Sequence, residues 1–247
     1  MIDTHGAQQI LVVQNDVDKS LGRISDGIAL TAAELDVRMA TAALPRVADY
    51  AGLIVLPGMA DPIDDDPAVH NARAAIEQAL NCGIPVLGLC LGGQLLNQLL
   101  GGEIYRCNNE VGYHDVCSTP AAQDDPLLMG VPERYLSFHA HAFAFRPPAG
   151  ATVLLENAVS VQAMRLGEAW AFQCHPEISL AWADALAQGL RGTAIGILPE
   201  SVAFFQRNGV DPDTLSRDAR TANATAQQLA NGIARGFVER CRAAAAK

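Results

Sequence analysis

Cys90, His175 and Glu177 are the residues whose types and settings could make and break an acyl bond. Cys90 closes the apolar run Ile84-Pro85-Val86-Leu87-Gly88-Leu89 and is hemmed by Gly88 and Gly92, before a helical pattern that begins at Gln94. Buried strand, glycine-flanked nucleophile, then helix is the order of a nucleophile elbow with sulfur in the attacking position. The glycines answer a steric need, because a sharp strand-to-helix turn leaves no room for side chains two residues either side of the nucleophile. A thiol placed there meets the free N–H groups and positive dipole end of a helix, which favour a thiolate. A buried cysteine in a glycine-rich loop would show the same spacing, so a second stretch has to decide.

That stretch is Ala169-Trp170-Ala171-Phe172-Gln173-Cys174-His175-Pro176-Glu177, a strand ending in His-Pro-Glu. His175 can act as base toward the thiol, and Glu177 can fix the imidazole's tautomer and support its positive charge. Pro176 sets φ and stops the strand, so both side chains project from one loop. Cys174 reads as a strand residue pointing away from the site, since alternate side chains take opposite faces.

The elbow and this triplet together resemble the class I, triad-type glutamine amidotransferase family, above all its GMP-synthase-like glutaminases, over about residues 10–190. The resemblance implies Cys90, His175 and Glu177 as catalytic residues and an oxyanion hole made by the backbone N–H groups of Gly58 and Leu91. Gly58 stands in Pro57-Gly58-Met59, where relatives usually carry a further glycine in place of Pro57; proline there stiffens the loop. The resemblance also implies that Gln94, one turn into the helix after the elbow, helps hold the substrate's polar groups. Glu110-Val111-Gly112-Tyr113-His114 matches a Glu-x-Gly-aromatic segment of these glutaminases. His139-Ala140-His141 stands where relatives typically carry His-Gly-Asp against the substrate's amino-acid end. The change adds a methyl near the ligand and removes a negative charge, which only another acidic group could replace. His139 and His141 also face one way, as paired zinc ligands would, yet no third ligand is spaced for them in sequence. No metal and no cofactor are therefore expected.

The elements that must position these residues follow a strand-helix-strand rhythm. Gln9–Gln14, Glu34–Ala40 and Gly52–Leu56 read as strands, and the stretches 20–32 and 68–81 as helices, the second opened by Asp61-Pro62-Ile63-Asp64-Asp65-Asp66-Pro67. Glu103–Cys117 reads as short antiparallel strands, Leu136–Phe143 as another, and the stretches 153–156, 159–166 and 169–173 lead to His175. The fold class is α/β and flavodoxin-like: a mostly parallel open sheet covered by helices on both faces, with ligands outside the carboxyl ends of the strands. After the helix at 179–188 the resemblance fades. Residues 1–192 form the expected glutaminase domain, and residues 193–247 a helical extension packed on it. Its stripe Leu215, Ala219, Ala222, Leu229, Ile233 and Phe237 has the helix period. The stripe is expected to cover the sheet; a partner, such as a second copy in a homodimer, is the alternative.

With 247 residues, half of them hydrophobic, the chain can bury one large core. A net charge of −10 argues against nucleic-acid or anionic-membrane partners. Lysine occurs only at 19 and 247, which excludes a phosphate-binding G-x-x-x-x-G-K loop and an internal Schiff-base lysine. Residues 1–9 show no leader pattern and no apolar run reaches spanning length, so a cytoplasmic protein is expected. The six cysteines form no C-x-x-C pair; Cys82, Cys107, Cys117 and Cys241 are expected as small core residues and the thiols as reduced. The Ser-Gly-Gly-x-Asp-Ser nucleotide loop of a GMP-synthase domain does not occur. Two enzymes fit: a glutaminase passing ammonia to a separate synthase subunit, or a free-standing hydrolase of γ-glutamyl compounds. A non-catalytic or redox-sensing thiol protein of the same fold is the alternative of another class.

Overall fold

Strand β1 (Gln9–Gln14) carries an unbroken apolar run because both faces of the sheet it enters are covered. Side chains alternate between faces. Ile10 and Val12 join Ile54, Leu87 and Phe172 in one core, while Leu11 and Val13 join Leu53, Val55 and Val86 in another. The computed structural model describes residues 9–193 and 196–246. The residues read for a leader lie outside these apart from Gln9, as does Lys247.

β1 pairs in parallel with β2 (Glu34–Met39) and β3 (Gly52–Val55), β3 with β4 (Val86–Leu89), and β4 with β9 (Ala169–Phe172). The sheet then continues antiparallel through β8 (Val161–Leu166), β7 (Thr152–Glu156), β5 (Glu103–Ser118) and β6 (Arg134–Arg146), in the order β2-β1-β3-β4-β9-β8-β7-β5-β6. The parallel, helix-covered half is the one the strand-helix rhythm predicts. Helices α1 (Gly22–Ala29) and α6 (Pro212–Ala245) cover one face, α2 (Pro67–Cys82) and α3 (Leu91–Leu99) the other. α4 (Leu180–Leu190) and α5 (Pro199–Arg207) pack around Phe138 of β6 in a third cluster. Among the described residues no helix is long and apolar enough to cross a membrane.

Several local expectations are corrected. α3 starts at Leu91, directly after Cys90, so Gly92 and Gly93 lie inside its first turn instead of ahead of it. The stretch from Glu103 is one strand of 16 residues, not several, because β6 pairs along its length across a bulge between Arg106 and Glu110. Cys82 is exposed, since it ends α2 on the solvent side; Cys107 at the bulge and Cys117 near the end of β5 are half-buried, and Cys241 alone of the four is buried. Other boundaries move by a few residues at element ends.

The C-terminal stripe is entirely buried. Phe237 lies edge-on to Trp170 of β9, with ring centroids 6.5 Å apart, and one turn on Cys241 packs so close to β3 that a Cβ on Gly52 would stand 2.4 Å from its Sγ. Leu229, Ile233 and Phe237 belong to the core on that face of the sheet, while Leu215 packs with Phe138, Leu186 and Phe205 in the third cluster. Phe237→Ala should lower unfolding free energy by about 3–5 kcal/mol in denaturant titrations. A loss below about 0.5 kcal/mol, the range of surface substitutions, would mean that α6 is only loosely attached.

Candidate active site

Cys90 has φ +48° and ψ −107°, and among the described residues it is the sole non-glycine at positive φ. Such a conformation costs on the order of 1–3 kcal/mol and persists only where the surroundings over-determine it. They do so through close backbone approach: a Cβ on Gly88 would stand 2.5 Å from the carbonyl oxygen of Gly92, and one on Gly92 would stand 2.3 Å from that of Val55. The Cys90 N–H donates to the Phe172 carbonyl at 2.7 Å, which ties the elbow to the end of β9. Gln173 Nε2 donates to Sγ at 3.7 Å. The thiol is 5% exposed.

The chain leaves β9 beside the elbow because β4 and β9 are parallel neighbours, and three residues later it presents His175. Its backbone N–H donates to the Phe138 carbonyl of β6 at 2.9 Å, and its ring meets Phe138 edge-on at 5.9 Å. Nδ1 donates to Glu177 Oε1 at 2.7 Å, and both side chains are buried. Burial opposes a charged imidazole, but the Glu177 carboxylate and then the neighbouring Cys90 outweigh it and raise His175 to about 10. Nε2 faces the thiol side with no completed hydrogen bond to a protein atom. The loop is fastened from behind by Arg23, a residue nothing in the sequence singled out. Its backbone N–H donates to the Glu177 carbonyl at 3.0 Å, Nε to the Ile178 carbonyl at 2.7 Å, and the guanidinium to Gln227 and Asn223 of α6 at 2.9 and 2.7 Å.

A cavity of about 340 Å³ opens over the elbow, and Gly58, Cys90, Leu91, Gln94, Ala140 and His141 all border it. Gly58 packs so closely that a Cβ would lie 2.7 Å from Leu91 Cδ2. Its loop is pinned, with Met59 N–H donating to Asp16 at 2.6 Å and Asn15 Nδ2 to the Leu56 carbonyl at 2.6 Å. Gln94 is buried and not an exposed helix amide; its Nε2 donates to the Phe143 carbonyl at 2.9 Å and to Gln173 Oε1 at 3.1 Å, so only its carbonyl oxygen remains for a ligand. His139 is fully buried and does not border the cavity, in contrast to the substrate-side position expected of it.

The negative charge missing from His139-Ala140-His141 is supplied by another strand. Glu110 Oε2 lies 3.3 Å from His141 Nε2. Burial alone would raise its carboxyl, but His141, His139 and a bond from Asn157 outweigh that and lower it to about 2. Four cavity residues had no signal in the sequence: Arg106 and Asn109 from the bulge of β5, Arg207 at the end of α5 and Asn208 after it. Asn109 Nδ2 donates to Asn208 Oδ1 at 2.9 Å, joining bulge and extension at the cavity. No motif could have flagged them, since they meet only through the fold.

A sulfur at a strained turn, an imidazole backed by a carboxylate and two glycine-lined approaches form a site suited to acyl transfer. The comparisons point the same way. A family model described as Glutamine amidotransferase class-I matches residues 18–186, more than half of the chain, and the chain belongs to that family. Among its relatives are a glutamine-hydrolysing GMP synthase subunit of Methanococcus aeolicus, 31% identical over 46% of this chain and 61% of that protein, and the glutamine-hydrolysing GMP synthase of Aeropyrum pernix, 40% identical over 44% of this chain and 21% of that one. The chain thus spans less than two thirds of the length of these curated relatives. In fold it is similar to a glutamine amidotransferase of Thermotoga maritima, with TM-score 0.80 and 21% identity over 94% of this chain and 98% of that one. A glutamine amidotransferase of Methylobacillus flagellatus superimposes with TM-score 0.77 at 23% identity, over 94% of both chains.

The raised His175 carries a pH signature. A group held above its unfolded value binds its proton more tightly when folded, so its contribution to stability is complete below about 6.5 and is lost as pH rises through about 10. The stability advantage of the wild type over Glu177→Gln should therefore be largest near pH 6 and shrink steadily toward pH 10 in denaturant unfolding. An advantage that grew with pH would contradict the pairing.

Proposed function

We propose that this protein hydrolyses the γ-amide of glutamine through a thioester on Cys90 and supplies the ammonia to a separate synthase. The observation that carries the proposal is the strained Cys90 beside an imidazole that Glu177 holds at 2.7 Å. The Cys90 sulfur attacks the carbonyl carbon of the side-chain amide, and the oxyanion forms against the backbone N–H groups of Gly58 and Leu91, each worth about 100-fold in rate or more. His175 passes its proton to the leaving nitrogen, the C–N bond breaks and ammonia departs. A water then gives its proton to His175 and its oxygen to the acyl carbon; the C–S bond breaks, the thiol is restored and glutamate leaves. Arg106 and Arg207 on the cavity wall suit the substrate's carboxylate, while Asp61 on the wall suits its ammonium group.

Residues 1–192 are read as the glutaminase domain and 193–247 as an extension that completes its cavity through Arg207 and Asn208. The synthase partner is inferred from the Methanococcus relatives, which are each one subunit of a glutamine-hydrolysing GMP synthase. The six cysteines are all free, in keeping with a cytoplasmic setting. Hydrolysis of a bulkier γ-glutamyl compound is the second reading, favoured by the His-Ala-His departure at the cavity wall.

Release of glutamate from glutamine and from a panel of γ-glutamyl amides, with ammonia measured alongside, with and without a synthase from the same cell, tests the proposal. Glutamine should be turned over, faster with the partner, and Cys90→Ala should abolish release by about 10⁴-fold or more. Turnover only of bulky amides would select the hydrolase. Release unchanged in Cys90→Ala would end both readings, and an inert protein whose Cys90 oxidises readily would point to a sensor.

A further inference from the structure

Antiparallel pairing of β5 with β6 sets Glu110 opposite His141 and Gly112 opposite His139, just past the bulge. The strand period places the two histidines on one face, and the partner strand delivers the carboxylate that no local spacing could announce. The donor atoms of Glu110, His139 and His141 all lie within 4.8 Å of one another, and all three residues are buried. His139 is 0% exposed, and neither of its ring nitrogens has a hydrogen-bond partner. His141 Nε2 likewise completes no hydrogen bond, although Glu110 Oε2 is 3.3 Å away. An unsatisfied buried polar atom costs about 1–3 kcal/mol, so an orphaned nitrogen from each of two histidines beside one carboxylate calls for an occupant.

The surroundings are those of a ligand set. Glu110 is held by neutral donors, Asn157 Nδ2 at 2.6 Å, Gln162 Nε2 at 3.1 Å and Ser160 Oγ at 3.4 Å, which orient the carboxylate without cancelling its charge. Cys107 Sγ stands 3.8 Å from His141 Nδ1 and leaves Nε2 as the nitrogen turned toward Glu110. With neutral imidazoles the cluster carries one net negative charge in a buried place, with lone pairs converging on it. We propose that Glu110, His139 and His141 bind one divalent first-row transition-metal ion, Zn²⁺ being the simplest fit to two imidazoles and a carboxylate. Ligand distances of about 2.0–2.2 Å in a tetrahedral shell set donors about 3.4 Å apart, so a pair at the 4.8 Å limit closes by about 1.4 Å when the ion binds. His141 borders the cavity and gives the ion its way in. The ion fastens the bulge of β5 to β6 directly behind Ala140, whose methyl lies on the cavity wall. This site replaces the expectation of no metal, and it stands whether or not glutamine is the substrate.

The test uses the full chain carrying Cys90→Ser, so that the sulfur beside His175 cannot hold the ion. After removal of metal by a chelator, it is titrated with Co²⁺ and then Zn²⁺. One Co²⁺ per chain should bind with a visible ligand-field spectrum free of a thiolate charge-transfer band, Zn²⁺ should displace it, and Tm should rise. His139→Gln and Glu110→Gln should each weaken binding by about 100-fold or more, while His70→Gln on the surface should not. Absence of stoichiometric binding, binding indifferent to His139→Gln, or a thiolate band would overturn the proposal. Should both variants fail to fold, X-ray absorption of the Zn²⁺-loaded protein decides: two imidazoles and oxygen support the site, sulfur or a single imidazole refutes it.

Discussion

The positive φ of Cys90 is the constraint on which the rest of the structure depends. It is unfavourable by itself, and the molecule holds it by bringing three pieces of backbone into contact around it. Val55 ends β3 against Gly92, Gly92 lies against Gly88, and the Phe172 carbonyl of β9 takes the Cys90 N–H. The first and last of these require a neighbouring parallel strand at the right register, so the sheet order β3-β4-β9 is a condition of the turn as well as its setting.

The same neighbourhood explains how residues 85 apart in the chain come to act together. β9 is the parallel partner of β4, so the loops leaving their carboxyl ends meet at one edge. The loop after β9 is then fixed from two sides: β6 takes the His175 N–H, and Arg23 ties the Glu177 and Ile178 carbonyls to α6. α6 is therefore joined to the site as well as to the core, and α5 adds Arg207 to the cavity wall. The family model stops at residue 186, yet the solved structures of similar fold cover 94% of the chain, which reaches into these last helices.

Local chemistry was legible in the sequence and convergence was not. Cys90 with Gly88 and Gly92, and His175 with Glu177, are each written within a few residues, and their sterics can be argued without coordinates. The parallel half of the sheet was legible for the same reason, since each strand declares itself by an apolar run. The long β5 does not declare itself as one strand, because its polar and bulged middle, Cys107 to Asn109, interrupts the alternation that signals a strand. Arg23 looks like any surface arginine of a short helix until α6 folds across it. Glu110 and the two histidines are some 30 positions apart and meet only through strand register, and that is why the pair His139 and His141 lacked its third donor.

The central claim is that the turn at residue 90 holds a nearly enclosed sulfur in a reactive place beside His175. Chemical exposure gives it a sharp rival, because Cys82 is open to solvent while Cys90 is 5% exposed. The most direct measurement is to treat the protein with one equivalent of a glutamine-like diazoketone and map the adduct by mass spectrometry. The account predicts a single adduct on Cys90, formed far more slowly in His175→Ala. Label that went first to Cys82, or spread over the cysteines by exposure alone, would contradict it.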